Sequence, residues 1–215
     1  MVQVGTRQNR TGDRMKKYAI TGGIASGKST FCEMIKAMGL PFIDCDALVH
    51  KAYEPEGLIF SAVLAHFGKD YLDPEGKIDR RRLGREVFNN KNSREQLNRI
   101  THPIIRQLVS EELMAYEWAG DRLVFVDVPL LFEENLQGNY DGTILIDIQE
   151  ELQLDRLIKR NQFTFEEALS RIEAQMPLAK KRPLATYVLE NNSTVEDFRE
   201  KGRRLIEELI SKYES

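Results

Sequence analysis

Two cysteines, three histidines and one tryptophan in 215 residues leave little material for several common kinds of site. Cys32 and Cys45 cannot make the disulfide framework of a small secreted domain, and the histidines form no metal-ligand spacing with them, so a reducing, cytoplasmic location is expected. An excess of one charge is missing too. The 31 Lys and Arg residues nearly balance 34 Asp and Glu, for a formal net charge of -3, which argues against a surface built to hold long nucleic acid. Long apolar runs are also lacking: Leu123 to Val126 and Val128 to Phe132 are separated by Asp127 and fall far short of the roughly 20 residues that cross a bilayer. Residues 1–14 carry Arg7, Arg10 and Arg14 but no apolar segment, so they read as a disordered extension and not as a secretory signal. With 41% hydrophobic and 30% charged residues, the chain belongs to the globular class, and a monomer is expected.

Hydrophobic periodicity organises what is present. Lys17 to Thr21 is a β-prone run, followed by a glycine-rich turn and a helical pattern from Lys28 to Met38 with Phe31, Met34, Ile35 and Met38 on one face. Gly39 and Pro41 end that helix, and Pro41 to Asp44 reads as a second strand. Strand, helix and strand in this order predict a parallel α/β sheet flanked by helices, with ligands at the carboxyl ends of the strands. From about Ala47 to Ala119 the spacing is helical, most clearly from Arg94 to Trp118, where Leu97, Ile100, Ile104, Leu108 and Leu113 recur, so an inserted helical segment is expected. Leu123 to Val128 and Thr143 to Ile148 are predicted strands. Helices follow from about Glu150 and after Thr164, where Thr164 and Glu167 have capping-box spacing. A short strand at Ala185 to Leu189 and an amphipathic helix from Thr194 to Tyr213 close the chain.

Gly22-Gly23-Ile24-Ala25-Ser26-Gly27-Lys28-Ser29 matches GxxxxGK[ST] in full, between a predicted strand and a predicted helix. Glycines let successive backbone N–H groups converge on phosphate oxygens, and the helix N-terminus adds partial positive charge. Lys28 is expected at the β- and γ-phosphates of ATP, the Ser29 hydroxyl on Mg²⁺, and Thr30 near the α-phosphate. The pattern identifies a nucleotide-binding P-loop; alone it does not separate ATPases, GTPases and kinases. The guanine-reading NKxD motif of a GTP-dependent switch is missing, because Asn90-Lys91-Asn92-Ser93 ends in Ser and lies in the helical segment.

Acidic residues fall where a kinase would need them. Asp44 and Asp46 have spacing two, so an extended chain would put both carboxylates on one side at a strand's carboxyl end, where one could accept the proton of an acceptor hydroxyl. The competing reading is that Asp46 caps a helix beginning at Ala47. Asp127 ends the third strand as a Walker B carboxylate does and is a candidate for orienting water on Mg²⁺, although short apolar runs ending in Asp are common. Arg156, Lys159 and Arg160 share one helical face, with Arg171, Lys180, Lys181 and Arg182 further on. They are either lid cations over a triphosphate or, with Glu150, Glu151 and Asp155, a solvated face; the P-loop favours the lid. Thr21 and His102 are further candidate substrate contacts, although a lone histidine in a helix is more often a packing or surface residue.

ITGGIASGKST, FIDCDALVHKAYEPEG, DRRRLGREVFNN, LNRITHP, VDVPLLFEENL and QLDRLIKRN together resemble the dephospho-CoA kinase family in order and spacing, from Lys17 to about Ser193. The resemblance implies ATP-dependent phosphorylation of the ribose 3′-hydroxyl of dephospho-CoA, the last step of coenzyme A synthesis. It implies one P-loop kinase domain over 15–215, with a core of 15–46, 120–150 and 184–215, a CoA-binding insert of about 47–119 and an arginine lid of about 151–183. Asp46 matches the family's general base, Ala25 to Thr30 its ATP contact, Arg156 and Arg160 its lid arginines, and the ITHP segment reads as a turn. The family loop usually reads GGIGSGKS, so Ala25 replaces a glycine, Asn161 an aspartate and Ser193 a glycine. Another nucleoside monophosphate or small-molecule kinase is the alternative.

Overall fold

The computed structural model describes residues 14–213, so residues 1–13 of the expected extension lie outside the described residues. Arg14 is placed, and its guanidinium pairs with Asp141 at 2.6 Å. Two compact units emerge, Asp44–Met114 and the rest of the chain.

The larger unit begins with β1 (Lys16–Gly22), whose two lysines give way to a buried run from Tyr18 onward. Next come α1 (Lys28–Ala37) and β2 (Phe42–Asp44). Two wholly buried strands, β3 (Leu123–Asp127) and β4 (Gly142–Asp147), follow the insert. After them the chain forms the helical segments α6 (Glu150–Asn161), α7 (Phe165–Glu173) and α8 (Leu178–Lys181), then β5 (Tyr187–Glu190) and α9 (Val195–Tyr213). The sheet order is β2-β3-β1-β4-β5, and β1 pairs in parallel with both β3 and β4. Strands covered on both faces have no solvent side, which is why LVFVD and GTILID are nearly continuous apolar runs and do not alternate. Phe31, Cys32 and Ile35 of α1 and Phe198, Ile206 and Leu209 of α9 pack on Ile20, Phe125, Ile144 and Ile146. Each such burial contributes roughly 1.5–3 kcal/mol before the cost of ordering the chain.

The α/β architecture expected from the sequence is thus present. The connection from β1 leads toward β2, whereas that from β3 crosses β1 to reach β4. Their carboxyl ends therefore flank the point where the winding reverses, the usual ligand crevice of such sheets.

The Asp44–Met114 unit is helical: α2 (Cys45–Ala52), α3 (Leu58–Phe67), α4 (Arg80–Asn89) and most of α5 (Lys91–Ala119). Its core holds Ala52, Ile59, Val63, Ile78 and Leu83, with Leu97, Ile104 and Leu108 of α5 packed against them. The ITHP segment is not a turn, for α5 runs through Pro103. The ring removes one intrahelical hydrogen bond and crowds the carbonyl one turn back, a cost of roughly 3 kcal/mol that a 29-residue helix packed through several turns absorbs.

Candidate active site

The loop from Gly22 to Gly27 closes through a turn in which the Ser26 N–H donates to the Gly23 carbonyl at 3.1 Å. Ala25, where the resemblance expects a glycine, takes φ 58° and so sits in the left-handed region with its Cβ in place. Gly27, at φ 98°, caps α1, and a Cβ there would lie 2.2 Å from Asn191 Nδ2. That close approach has a purpose. Asn191 Nδ2 donates to the Ser26 carbonyl at 2.7 Å, while the Asn191 N–H donates to the Asp147 carbonyl at 2.8 Å, tying the loop to the ends of β4 and β5. The main chain of Ile24 is held by two side-chain amides: its N–H donates to Gln175 Oε1 at 2.8 Å, and its carbonyl accepts from Gln153 Nε2 at 2.7 Å.

Lys28 Nζ lies 2.5 Å from both carboxylate oxygens of Asp127. The loop lysine and the acid ending β3 therefore meet at the reversal point of the sheet. Beside them, Ala25, Gly27, Ser29 and Thr30 share a cleft of about 490 Å³ with Arg156, Lys159 and Arg160 of α6 and with Asn191, Val195 and Phe198. Three cations on one side, loop amides on another and two apolar side chains make a wall suited to a phosphorylated, ring-bearing ligand.

Three of the other expected cations have partners elsewhere, while Lys180 lies exposed on α8. Lys181 is fully buried and pairs with Glu133 at 2.7 Å. Arg182 bridges the Asp147 and Glu190 carboxylates, and these partners, Glu190 first, raise its pKa further above its ordinary value. Arg171 lies over the Phe163 ring at 4.4 Å. These three contacts tie the segment after α6 to Glu133, Asp147, Glu190 and Phe163. Lys159 pairs with Asp155 at 2.8 Å along its own helix, while Arg156 donates to the Ser193 carbonyl at 3.4 Å and Arg160 to Asn161 Oδ1 at 2.8 Å. Asn161 and Ser193, where the resemblance expects Asp and Gly, are therefore partners of Arg160 and Arg156.

The remaining candidates are placed as follows. Thr21 is wholly buried, and its hydroxyl donates to the Pro129 carbonyl at 3.1 Å, joining the ends of β1 and β3. The pair Asp44 and Asp46 does not lie on one extended segment, because β2 stops at Asp44 and α2 starts at Cys45. Asp44, not Asp46, is the cap, accepting from the Ala47 N–H at 3.0 Å; Asp46 lies exposed in the first turn. His102 is half-buried within α5.

Sequence reasoning missed Gln153, Gln175, Asn191, Glu133 and the buried role of Lys181. One signal was available: Gln153 and Leu157 are the buried residues of α6 and stand one turn apart, a polar residue on an apolar stripe that requires partners.

A family model for dephospho-CoA kinase matches residues 18–197. The chain belongs to the dephospho-CoA kinase family. The dephospho-CoA kinase of Lactobacillus johnsonii is 43% identical over 190 residues, 88% of this chain and 96% of that protein. That of Geobacillus kaustophilus is 43% identical over 180 residues, 84% of this chain and 90% of the relative. Among solved structures, the dephospho-CoA kinase from Campylobacter jejuni superposes with a TM-score of 0.70 at 32% identity, covering 91% of this chain and 98% of that one. A Thermus thermophilus crystal structure reaches 0.77 at 35% identity, covering 92% and 99%. The match to the dephospho-CoA kinase model takes in the P-loop, the insert, the α6 cations and Asn191, so the site lies within the shared part of the family.

Proposed function

We propose that this chain transfers the γ-phosphate of ATP to the ribose 3′-hydroxyl of dephospho-CoA, giving coenzyme A and ADP. The observation that carries the reading is the placement of Lys28 and Asp127 together at the sheet reversal, beside a cleft walled by P-loop residues and the α6 cations. In this reading the N–H groups of residues 22–30 cradle the phosphates, Lys28 leaves Asp127 for the β- and γ-oxygens, and Thr30 contacts the α-phosphate. Arg156 and Arg160 stabilise the transferring group, whose charge spreads over its equatorial oxygens. Asp46 is the general base for the acceptor hydroxyl, and Asp44 and His102 belong to the acceptor side. The insert, about 47–119, takes the coenzyme portion, and the segment 151–183 is the lid.

Mg²⁺ fits the oxygen donors available. Among the described residues there is no cluster of three or more His, Cys, Asp or Glu that could hold a metal alone. The ion usually keeps several waters and binds through one or two protein oxygens plus substrate phosphates. Ser29 and Asp127 are the protein residues that would hold it, and when bound it would neutralise charge on the phosphate oxygens. No helix among the described residues is long and apolar enough to cross a membrane. We read the enzyme as a cytoplasmic monomer; Cys32 and Cys45 form no disulfide, which suits a reducing compartment.

The test is a coupled assay of ADP release with dephospho-CoA, shikimate and nucleoside monophosphates as alternative acceptors, run on the native chain and on Asp46→Asn. Dephospho-CoA should be the strongly preferred acceptor, and Asp46→Asn should lower turnover about 10²- to 10⁴-fold with ATP binding retained. Turnover with another acceptor alone would overturn the substrate, and native turnover in the variant would remove Asp46 as base.

A further inference from the structure

Backbone polar groups in a loop must be met by something, and the main chain of Ile24 meets no strand or helix partner in its own turn. Both of its polar groups go instead to side chains from separate segments: Gln153 of α6 for the carbonyl at 2.7 Å and Gln175, just after α7, for the N–H at 2.8 Å. The chemistry of the partners assigns the amides, since an N–H needs an oxygen opposite it and a carbonyl needs a nitrogen. Gln153 is nearly wholly buried, and it reaches the loop only because residue 23 is glycine: a Cβ there would lie 2.6 Å from its Nε2. The segment carrying Gln175 is itself anchored, for the Met176 N–H donates to Glu133 at 3.2 Å and buried Lys181 pairs with the same carboxylate at 2.7 Å.

We infer that Gln153 and Gln175 are positioning residues that fix the peptide planes on either side of Ile24, and so hold the phosphate loop in its ATP-binding shape from the lid side. The clamp rests on reading this loop as the phosphate cradle. A loop held in its bound conformation loses less freedom when the ligand arrives, so the gain appears as nucleotide affinity. Ala25, next in sequence, occupies left-handed backbone that would relax if the preceding peptide were released. Anchoring through Glu133 links the clamp to the segment that follows β3 and Asp127, so loop and Walker-type acid share one scaffold.

The experiment compares the full chain with Gln175→Met, Gln153→Met and Gln175→Glu, with ATP affinity measured by calorimetry and the Ile24 amide followed by hydrogen exchange in the nucleotide-free protein. Loss of one net hydrogen bond, if it serves to hold the loop, should weaken ATP roughly 3- to 10-fold. KM for dephospho-CoA should stay within about twofold, a split that general loss of structure would not give. Gln175→Glu still offers an acceptor and should keep the Ile24 amide protected, whereas Gln175→Met should lose that protection. Gln175 is only half-buried, so Gln175→Met provides the decisive comparison even if Gln153→Met does not fold. Unchanged ATP affinity in folded Gln175→Met, or an equal rise in both substrate constants, overturns the clamp. Absence of ATP binding in the native chain would instead overturn the cradle itself.

Discussion

Ala25 holds a left-handed backbone conformation that L side chains rarely adopt, and replacing it with glycine isolates the cost. At φ 58° its Cβ crowds the following carbonyl, which in left-handed backbone costs roughly 1–2 kcal/mol. Ala25→Gly removes that strain. It also loosens the unfolded chain, an opposing effect of about 0.4–1 kcal/mol. The balance is a stabilisation of about 0.5–1 kcal/mol, which in a chain of this size raises the midpoint of thermal unfolding by about 1 to 4 °C. Calorimetry on the nucleotide-free protein measures it, with attention to the transition of the larger unit, where the loop lies. Ala25→Val supplies the opposite arm, since a β-branched side chain is worse in that backbone region and should lower the midpoint. If Ala25→Gly melts at or below the native temperature, the strain argument is wrong and the loop relaxes at no cost.

Three further outcomes are expected. Lys28→Ala should lower turnover by about two to three orders of magnitude, the usual effect of losing one preorganised charge stabiliser, and steady-state kinetics at saturating ATP tests it. Lys181→Met leaves the half-buried Glu133 without its cation and should cost about 1–3 kcal/mol in urea denaturation, while Lys181→Met combined with Glu133→Gln, which keeps an acceptor for the Met176 N–H, should recover part of the loss. Burial pushes the Asp141 carboxyl up, but the Lys17 N–H and the Arg14 guanidinium more than offset this and hold its pKa below the usual value. Such a group stabilises the fold above its unfolded pKa of about 3.9, and the contribution disappears as pH falls through the folded value. Asp141→Asn should therefore be less stable than the native protein at about pH 7, with the gap narrowing as pH falls below the unfolded pKa and through the folded one; a gap independent of pH would refute the assignment.

Much of the fold was legible because period and punctuation agree along the chain. The buried runs of β3 and β4 have no polar alternation to confuse them, and the Thr164 and Glu167 spacing does form a capping box, with reciprocal bonds of 2.9 and 3.2 Å. The errors came where a local rule met a tertiary one. An extended reading through Asp46 failed because Asp44 caps a helix that begins one residue later, and a turn at Pro103 failed because the helix is anchored by packing on both sides. Lys181 and Arg182 look like solvated or lid cations in a sequence, since only the fold brings Glu133, Asp147 and Glu190 to them. The P-loop itself was readable. Its supports were not, because glutamine and asparagine side chains reaching across more than 120 residues leave no periodic trace.

The contact between Lys28 and Asp127 bears on how the resting protein treats ionic conditions. A nucleotide arriving at this loop does not capture a hydrated ammonium but competes with an anion already supplied by the fold. Less solvent and fewer small ions are then displaced from the lysine than its charge alone would suggest. Affinity at this position should accordingly respond more gently to added salt than it would for an equally charged surface lysine.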